Sequence, residues 1–424
     1  MKFVSYWHDT APAFAGASVA PPEGRVDVAV IGGGFCGLSA ALALAKRGAR
    51  VAVIEAGQVI NAGSGRNGGH CNNGFSPSFS VVVERYGLQR ATALYRAFDA
   101  AVDGVERLVA EEGIACHFRR SGKLKLAVKP SHYEAMQQSF EQLHRHADPE
   151  AVMIPPAELG AEVHSGSFHG GMVMPKSAQM HMGEFGLGLA EAAARRGVRV
   201  FENTRMTKLR RLGGTRYRVE TDKGVLEAGQ VLLASGASMQ SPLFFRRRII
   251  PIGTFIVATE PLSDEQVAGF LPGRRNVVTT ANVGNYFRIT PDNRLLFGGR
   301  TRFALPGEGS DAKSGRMLEA RLREFFPQLK DIRIDYCWGG IVDVNRDRLP
   351  RAGERDGLFY ALGYSGHGVQ MSVEMGGRMA AIMSGETVAN PFEDLPWPPV
   401  PGHFGPPWFL PLVGLYYRFK DGMK

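Results

Sequence analysis

The sequence predicts an α/β fold in which a parallel sheet covered by helices is interleaved with a unit built on a mainly antiparallel sheet. Three observations carry this. First, an apolar run at 26–31 ends in Gly32-Gly33-Gly34, strong helix formers fill 38–47, and a second apolar run closes at Glu55. Strand, glycine turn, helix and strand in quick succession make a βαβ unit, and runs that are apolar on both faces suit a covered parallel sheet. Second, a helix-to-strand step recurs at 184–202, and a strand, glycine turn and helix return at 358–383. Third, between 249 and 335 the pattern changes to short strands and turns, at 251–259, 285–289 and 295–298, which reads as antiparallel pairing.

Taken in order, residues 1–25 form a lead-in arm with an Ala/Pro stretch at 11–22. After the second strand comes a Gly/Asn-rich loop at 61–75, too polar and flexible for regular structure. Helical stretches run to about 108, a strand-like region covers 115–128, and a helix is predicted over 131–146 before the break at Pro155-Pro156. A helix over 184–196 stops at Gly197, and the apolar segments to 236 finish that half. The expected division is a discontinuous dinucleotide-type unit of 26–85, 150–248 and 336–390, a substrate unit of 86–149 and 249–335, and a tail of 391–424. No short internal repeat occurs.

With 44% hydrophobic and 21% charged residues, the composition excludes extensive disorder. The net charge of +9 points to an anionic partner, yet the longest basic tract is Arg246-Arg247-Arg248 and no basic–aromatic platform is present. Nucleic acid is therefore not expected, whereas an anionic cofactor or substrate is. Cys36, Cys71, Cys116 and Cys337 lie far apart with no CxxC pair. That excludes zinc and thioredoxin-like readings and fits a reducing compartment. The first residues lack the apolar core of a signal peptide, so the cytoplasm is the expected location. The apolar tract 408–417, interrupted by Pro411 and Gly414, falls short of the roughly 20 residues that span a bilayer. With Arg418-Phe419-Lys420 behind it, it suits packing on its own domain or a subunit interface, or a peripheral membrane contact.

The strongest motif is Gly32-x-Gly34-x-x-Gly37 with Glu55. Gly32 permits the tight turn, Gly34 lets backbone approach a pyrophosphate, and Gly37 lets helix and strand pack closely. The pyrophosphate then meets a helix N-terminus. Glu55, at the end of the second strand, is placed to accept hydrogen bonds from a ribose diol and to repel a 2′-phosphate.

Further motifs are Gly63-Ser64-Gly65-Arg66-Asn67-Gly68-Gly69, the segment 231–237, Tyr286-Phe287-Arg288, the segment 292–299, and Gly363-Tyr364-Ser365-Gly366-His367-Gly368-Val369. With the fingerprint, these resemble the D-amino-acid-oxidase and glycine-oxidase superfamily of FAD-dependent flavoproteins, and within it the gamma-glutamylputrescine oxidoreductase-like enzymes, over about 26–385. The resemblance implies a Rossmann-like FAD-binding domain interleaved with a substrate domain. It also implies oxidation of a small amine or amino acid by hydride transfer to flavin N5, with O2 or another electron acceptor taking the electrons.

By the same resemblance, Phe35 and Cys36 open the phosphate-facing helix and Ala56 follows Glu55 at the ribose. The stretch from Ser64 through Gly65, Arg66, Asn67 and Gly68 to Gly69 runs beside the flavin ring and pyrophosphate. Met206 stands where the family bonds adenine through its backbone, and Ser235-Gly236 passes the adenosine. Gly363, Tyr364, Gly366, His367, Gly368, Val369 and Gln370 face the pyrimidine side of the flavin, where helix amides stabilise the charge of the reduced ring. His367 more often packs or caps at such a position than transfers protons.

Substrate candidates are His70, Tyr286, Arg288, Trp338 and Tyr364. Tyr286 and Arg288 alternate with Phe287, so they share a strand face that could hold a carboxylate; a structural ion pair is the alternative for Arg288, and packing for Trp338. Neither Cys337 nor His70 matches the family's linking cysteine or histidine, so the FAD is expected to be non-covalent. No metal site is expected. Two further readings stay open: a dehydrogenase passing electrons to a quinone at a membrane surface, and a non-catalytic FAD-binding protein. The oligomeric state is open too.

Overall fold

The computed structural model describes residues 1–299 and 305–422. The end of the antiparallel region at 300–304 and residues 423 and 424 of the tail lie outside the described residues. At its centre is a strand, Glu23–Ile31, flanked in parallel by Val51–Ile54 and Val225–Leu233. Arg199–Phe201 extends the parallel sheet beyond Val51–Ile54, and Leu358–Leu362 extends it beyond the C-terminal half of Val225–Leu233. All four residues of Val51–Ile54 are buried, which explains why the strand reads as continuously apolar. Helices Phe35–Lys46 and Gly368–Met383 pack side by side and both contact this sheet. The two helices approach closely at Gly376, where a Cβ would stand 2.5 Å from the Cys36 carbonyl oxygen.

The second sheet runs Ile334–Val344, Ile250–Thr259, Leu295–Gly299, Asn285–Ile289, Asn276–Thr279, Lys123–Leu126, Gly171–Met174, Val152–Ile154. Every neighbour is antiparallel except Asn276–Thr279 against Lys123–Leu126. One face carries Phe255, Val257, Phe287 and Phe297 onto Leu318, Leu322 and Phe325 of helix Glu308–Phe325. The other carries Ile256, Ala258 and Leu296 into the core of the first unit, with Tyr286 packed against it.

Three expectations about the chain's division are corrected. Strands Val152–Ile154, Gly171–Met174 and Ile334–Val344 belong to the second sheet, although 150–248 and 336–390 read as dinucleotide-type; strand partners cannot be inferred from periodicity alone. Conversely, helix Leu88–Glu112, assigned to the substrate unit, buries Leu94, Phe98, Val102 and Val105 in the first unit's core beside Met371 and Met375. The arm 1–25 is not a loose lead-in. Helix Tyr6–Thr10 buries Tyr6 and Trp7, Lys2 bridges to Tyr336, and the central strand begins at Glu23. The tail carries a helix, Leu410–Gly422, anchored by Leu410 among Ile252 and Val344. No helix of the described residues is long and apolar enough to cross a membrane.

Candidate functional site

In parallel sheets, ligands bind beyond the C-terminal ends of the strands. Gly32 follows the central strand, Glu55 follows Val51–Ile54, Thr204 lies past Arg199–Phe201, Ser235 follows Val225–Leu233 and Gly363 follows Leu358–Leu362. The five ends are tied to one another. Ala234 N–H donates to the Ile31 carbonyl and Thr204 N–H to that of Glu55, two residues before Met206, which is buried at the start of the next strand. A Cβ on Gly32 would sit 2.6 Å from Ala234 O.

The glycine fingerprint forms a cradle. A Cβ on Gly37 would lie 1.9 Å from the Gly32 carbonyl oxygen, and one on Gly34 would lie 2.8 Å from Ser64 Oγ. Ser64 Oγ accepts from Phe35 N–H at the helix start (3.0 Å). Glu55 accepts from Gly33 N–H (2.7 Å) and Gly57 N–H (2.8 Å), which fixes the carboxylate at the strand end. Ala56 beside it is exposed. The ring of Phe35 turns into the core against Phe185 and its N–H is taken by Ser64 Oγ, so this residue shapes the cradle and leaves the pyrophosphate to its neighbours' amides. Cys36 is buried and its thiol is pushed up to about 12 by burial; it packs rather than reacts.

The loop beside the cradle is held from three directions. Asn67 donates to the Gly63 and Ser64 carbonyls and accepts from Gly69 N–H. Arg66 reaches Asn61 O and Gly339 O, while Trp338, wholly buried, donates to Arg66 O. From the arm, Trp7 donates to Asn67 O (2.6 Å) and Ser5 to Gly65 O (2.6 Å). Trp338 thus anchors the loop through its indole N–H. The arm's part was not legible in the sequence: a five-residue helix carries no periodic signal.

Tyr286 and Arg288 do share a face, and it is turned to this loop. A Cβ on Gly68 would meet the Tyr286 ring at 2.7 Å, and one on Gly69 would meet Arg288 Nη2 at 2.6 Å. The Arg288 guanidinium, 1% exposed, donates to Gly68 O, Gln179 Oε1 and Met180 O at 2.8–3.1 Å. Among the described residues no carboxylate pairs with it, and burial lowers it to about 9. In place of an ion pair among the described residues, these bonds stitch the cofactor loop to strand Ala178–Gln179. The Tyr364 hydroxyl donates to Ala361 O in a buried position.

His70 and Tyr286 stay together, with ring centroids 5.6 Å apart. Tyr286 OH is 3.2 Å from Thr254 Oγ1. Around Asn72 lies a cluster of buried polar atoms without partners: His70 Nε2, His367 Nδ1, Gln370 Oε1 and Asn276 Oδ1. Asn276 donates to Asn72 Oδ1 and Gln370 to Asn72 O. Buried polar groups are ordinarily satisfied, so this cluster, next to the loop cradle, is what a site for a bound polar group requires.

Burial first, then the charges of Arg288 and Lys123, hold His70 well below the usual histidine range. Burial, with Lys123 and Arg348, lowers His367 to about 3. Both are therefore neutral near pH 7. Lys123, itself lowered to about 7 by burial, donates to Asn73 O. It was missed in the sequence, although the alternation Lys123-Leu124-Lys125 could have marked an inward-facing lysine. A folded-state value below the unfolded one means that the unfolded chain binds more protons between the two. The contribution of His367 to stability is therefore expected to be full above about 6.5 and to be lost as pH drops toward 3, with His367→Gln flattening that part of the slope. Denaturant titrations across that range would check this, and identical slopes for the two proteins would refute it.

The turn at 363–368 is built from below by residues that sequence reading overlooked. Asp343 accepts from Gly363 N–H (2.7 Å) and Tyr364 N–H (3.3 Å), and burial raises it to about 6. Asn345 donates to Gly363 O and Leu349 O. Ser365 takes a positive φ of 54° and donates back to Gly363 O. The turn uses the His367 N–H for the Tyr364 carbonyl and sets the amides of Gly368 and Val369 at the start of helix Gly368–Met383, with His367 at its N-cap and Gln370 buried beneath. Gly236, also at positive φ, lies across from Asp343 Oδ2, and Ser235 Oγ pairs with Ser241 Oγ. The residues fit a dinucleotide with a further polar ring at its end: a cradle that side chains would fill, amides at two helix starts, a fixed carboxylate and orphaned polar atoms.

A family model described as "FAD dependent oxidoreductase" matches residues 27–382. The chain is 29% identical over 98% of its own length, and 98% of the other's, to gamma-glutamylputrescine oxidoreductase of Escherichia coli strain K12. It is 31% identical, over 94% of its length and 92% of the other's, to a probable oxidoreductase OrdL of Rhizobium meliloti. The crystal structure of glycine oxidase from Geobacillus kaustophilus superposes with a TM-score of 0.69 at 24% identity, covering 87% of this chain and 96% of that one. The chain belongs to the DAO family of FAD-dependent oxidoreductases, and FAD is its cofactor.

Proposed function

We propose that the protein oxidises a small amine or amino acid, with FAD held non-covalently. The observation that carries this reading is the cluster of partnerless polar atoms around Asn72, set between the cofactor loop and the helix that begins at Gly368. Bound FAD supplies a hydride acceptor at N5, which turns an amine into an imine that water hydrolyses. In this reading Glu55 binds the ribose diol, and the amides at the start of helix Phe35–Lys46 bind the pyrophosphate. The amides at the start of helix Gly368–Met383 stabilise negative charge on the pyrimidine side, with Asp343 holding their turn in place. His70 and His367, kept neutral, each present an unpartnered ring nitrogen to the substrate without adding charge to the pocket. Tyr286 closes the pocket against His70. The names of relatives support an amine or amino acid: glycine oxidases and sarcosine oxidase subunits stand beside gamma-glutamylputrescine oxidoreductase. A pure FAD-binding protein has no need of a second preorganised helix start.

The test is anaerobic mixing with polyamines, gamma-glutamyl polyamines, cyclic imino acids and D-amino acids. Bleaching of the flavin band by at least one class is expected, and silence across all of them would reject the reading. Admitting air then separates reoxidation by O2 from dependence on another acceptor. Flavin should leave the polypeptide on acid or heat denaturation, because all four cysteines are buried and His70 Nε2 lies within the polar cluster; flavin that stays with the precipitate would overturn non-covalent binding.

A further inference from the structure

Helix Leu410–Gly422 is apolar on two opposite faces. Leu410 is buried and Gly414 is covered, and Val413 and Tyr417 share their side. Leu412, Leu415, Tyr416 and Phe419 are spaced i, i+3, i+4, i+7, so they form one stripe, and they are 64%, 64%, 60% and 70% exposed. A helix with apolar residues on both sides is normally covered on both. Just before it, Phe404 and Trp408 are 58% and 68% exposed. Isolated exposed apolar residues need no explanation, but a continuous stripe of this kind marks an interaction surface.

Cations border the exposed aromatic segment that leads into the helix. Arg247 stands over the Phe404 ring at 5.0 Å, and Arg246 Nη1 lies near Gly405. Among the described residues neither arginine has a carboxylate within ion-pair distance. Aromatics at the rim, aliphatics along the helix and unpaired arginines beside them are the composition of a segment lying in a headgroup region. A second copy of the chain fits less well. A two-fold pairing through this face would bring two copies already at +9 each together and leave Arg246 and Arg247 without a counter-charge, whereas lipid phosphates neutralise them.

We propose that this face docks on an anionic phospholipid surface, the outer stripe of the helix entering the headgroup–acyl boundary and Arg246 and Arg247 resting on phosphates. Docking is peripheral. The helix lies parallel to the membrane, and Leu410 ties it to Ile252 and Val344 at the edge of the second sheet.

The experiment is flotation of the FAD-loaded protein with vesicles of phosphatidylglycerol and phosphatidylcholine, against vesicles of phosphatidylcholine alone. Recovery with the anionic vesicles should exceed that with neutral ones severalfold and fall as salt is raised. The double variant Leu415→Asp, Phe419→Asp should lose at least tenfold of the vesicle-bound fraction while keeping its FAD content, and Arg246→Glu, Arg247→Glu should weaken binding to anionic vesicles alone. Brominated lipid should quench wild-type tryptophan emission, and Trp408→Phe should remove that quenching; this second measurement stands even if the aspartate variant fails to fold. Failure to float with anionic vesicles, or flotation unaffected by the aspartates, would overturn the proposal. So would a concentration-dependent dimer in light scattering that the aspartates disperse, which would assign the face to a second copy.

Discussion

Trp7→Ala is expected to destabilise the protein by about 3–5 kcal/mol, the usual cost of truncating a fully buried large aromatic. Trp7 is 0% exposed. Its ring stands edge-on to Tyr6 and His181 at 5.1 and 4.9 Å, with the Arg288 guanidinium 5.3 Å away. Helix Tyr6–Thr10 leaves no room to resettle, because a Cβ on Gly183 would already stand 2.1 Å from Trp7 O. The indole also donates to Asn67 O in the cofactor loop. A net hydrogen bond of roughly 0.5–1.5 kcal/mol corresponds to a several-fold to tenfold weakening of FAD binding. Trp7→Phe separates the two effects, since it keeps most of the packing and loses the bond. Thermal unfolding with and without added FAD measures both, and an unchanged melting temperature for Trp7→Ala would show that the arm is dispensable.

Gly37→Val should abolish folding of the cofactor unit, and not merely its binding. Its Cβ would be placed 1.9 Å from a backbone carbonyl, which no side-chain rotation can relieve. Gly34→Val differs in kind: its nearest neighbour is the Ser64 hydroxyl at 2.8 Å, which can rotate away. The second variant should therefore fold and bind no FAD, because the valine fills the space meant for the pyrophosphate. The ratio of flavin to protein absorbance and far-UV circular dichroism distinguish the two. A flavin-replete Gly34→Val protein would refute the cradle.

What was legible in the sequence is what a local period can encode. The βαβ unit at 26–55 and the strand, turn and helix at 358–383 announce themselves through apolar runs and glycines at fixed spacing, and the cradle follows from them. The role of Arg288 was not legible. Alternation placed it correctly on the face of Tyr286, but only the tertiary fold brings Gly68, Gln179 and Met180 to its donors. Nor could Asp343 and Asn345 be found, because their partners lie some twenty residues further on in a separate turn. Strand Ile334–Val344 was assigned to the wrong unit for the same reason: its partner, Ile250–Thr259, is chosen by long-range pairing.

The bridge from Lys2 to Tyr336 also sets an order of events during synthesis. The arm cannot take its final place until the strand carrying Tyr336 has left the ribosome. At roughly 5–20 residues per second, that leaves the Lys2 end of the arm without its bridge for some tens of seconds, long after the loop partners of Ser5 and Trp7 have been made. The outer end of the arm is thus the last part of it to be fixed, and whatever shields Lys2 and Phe3 until then belongs to the end of translation.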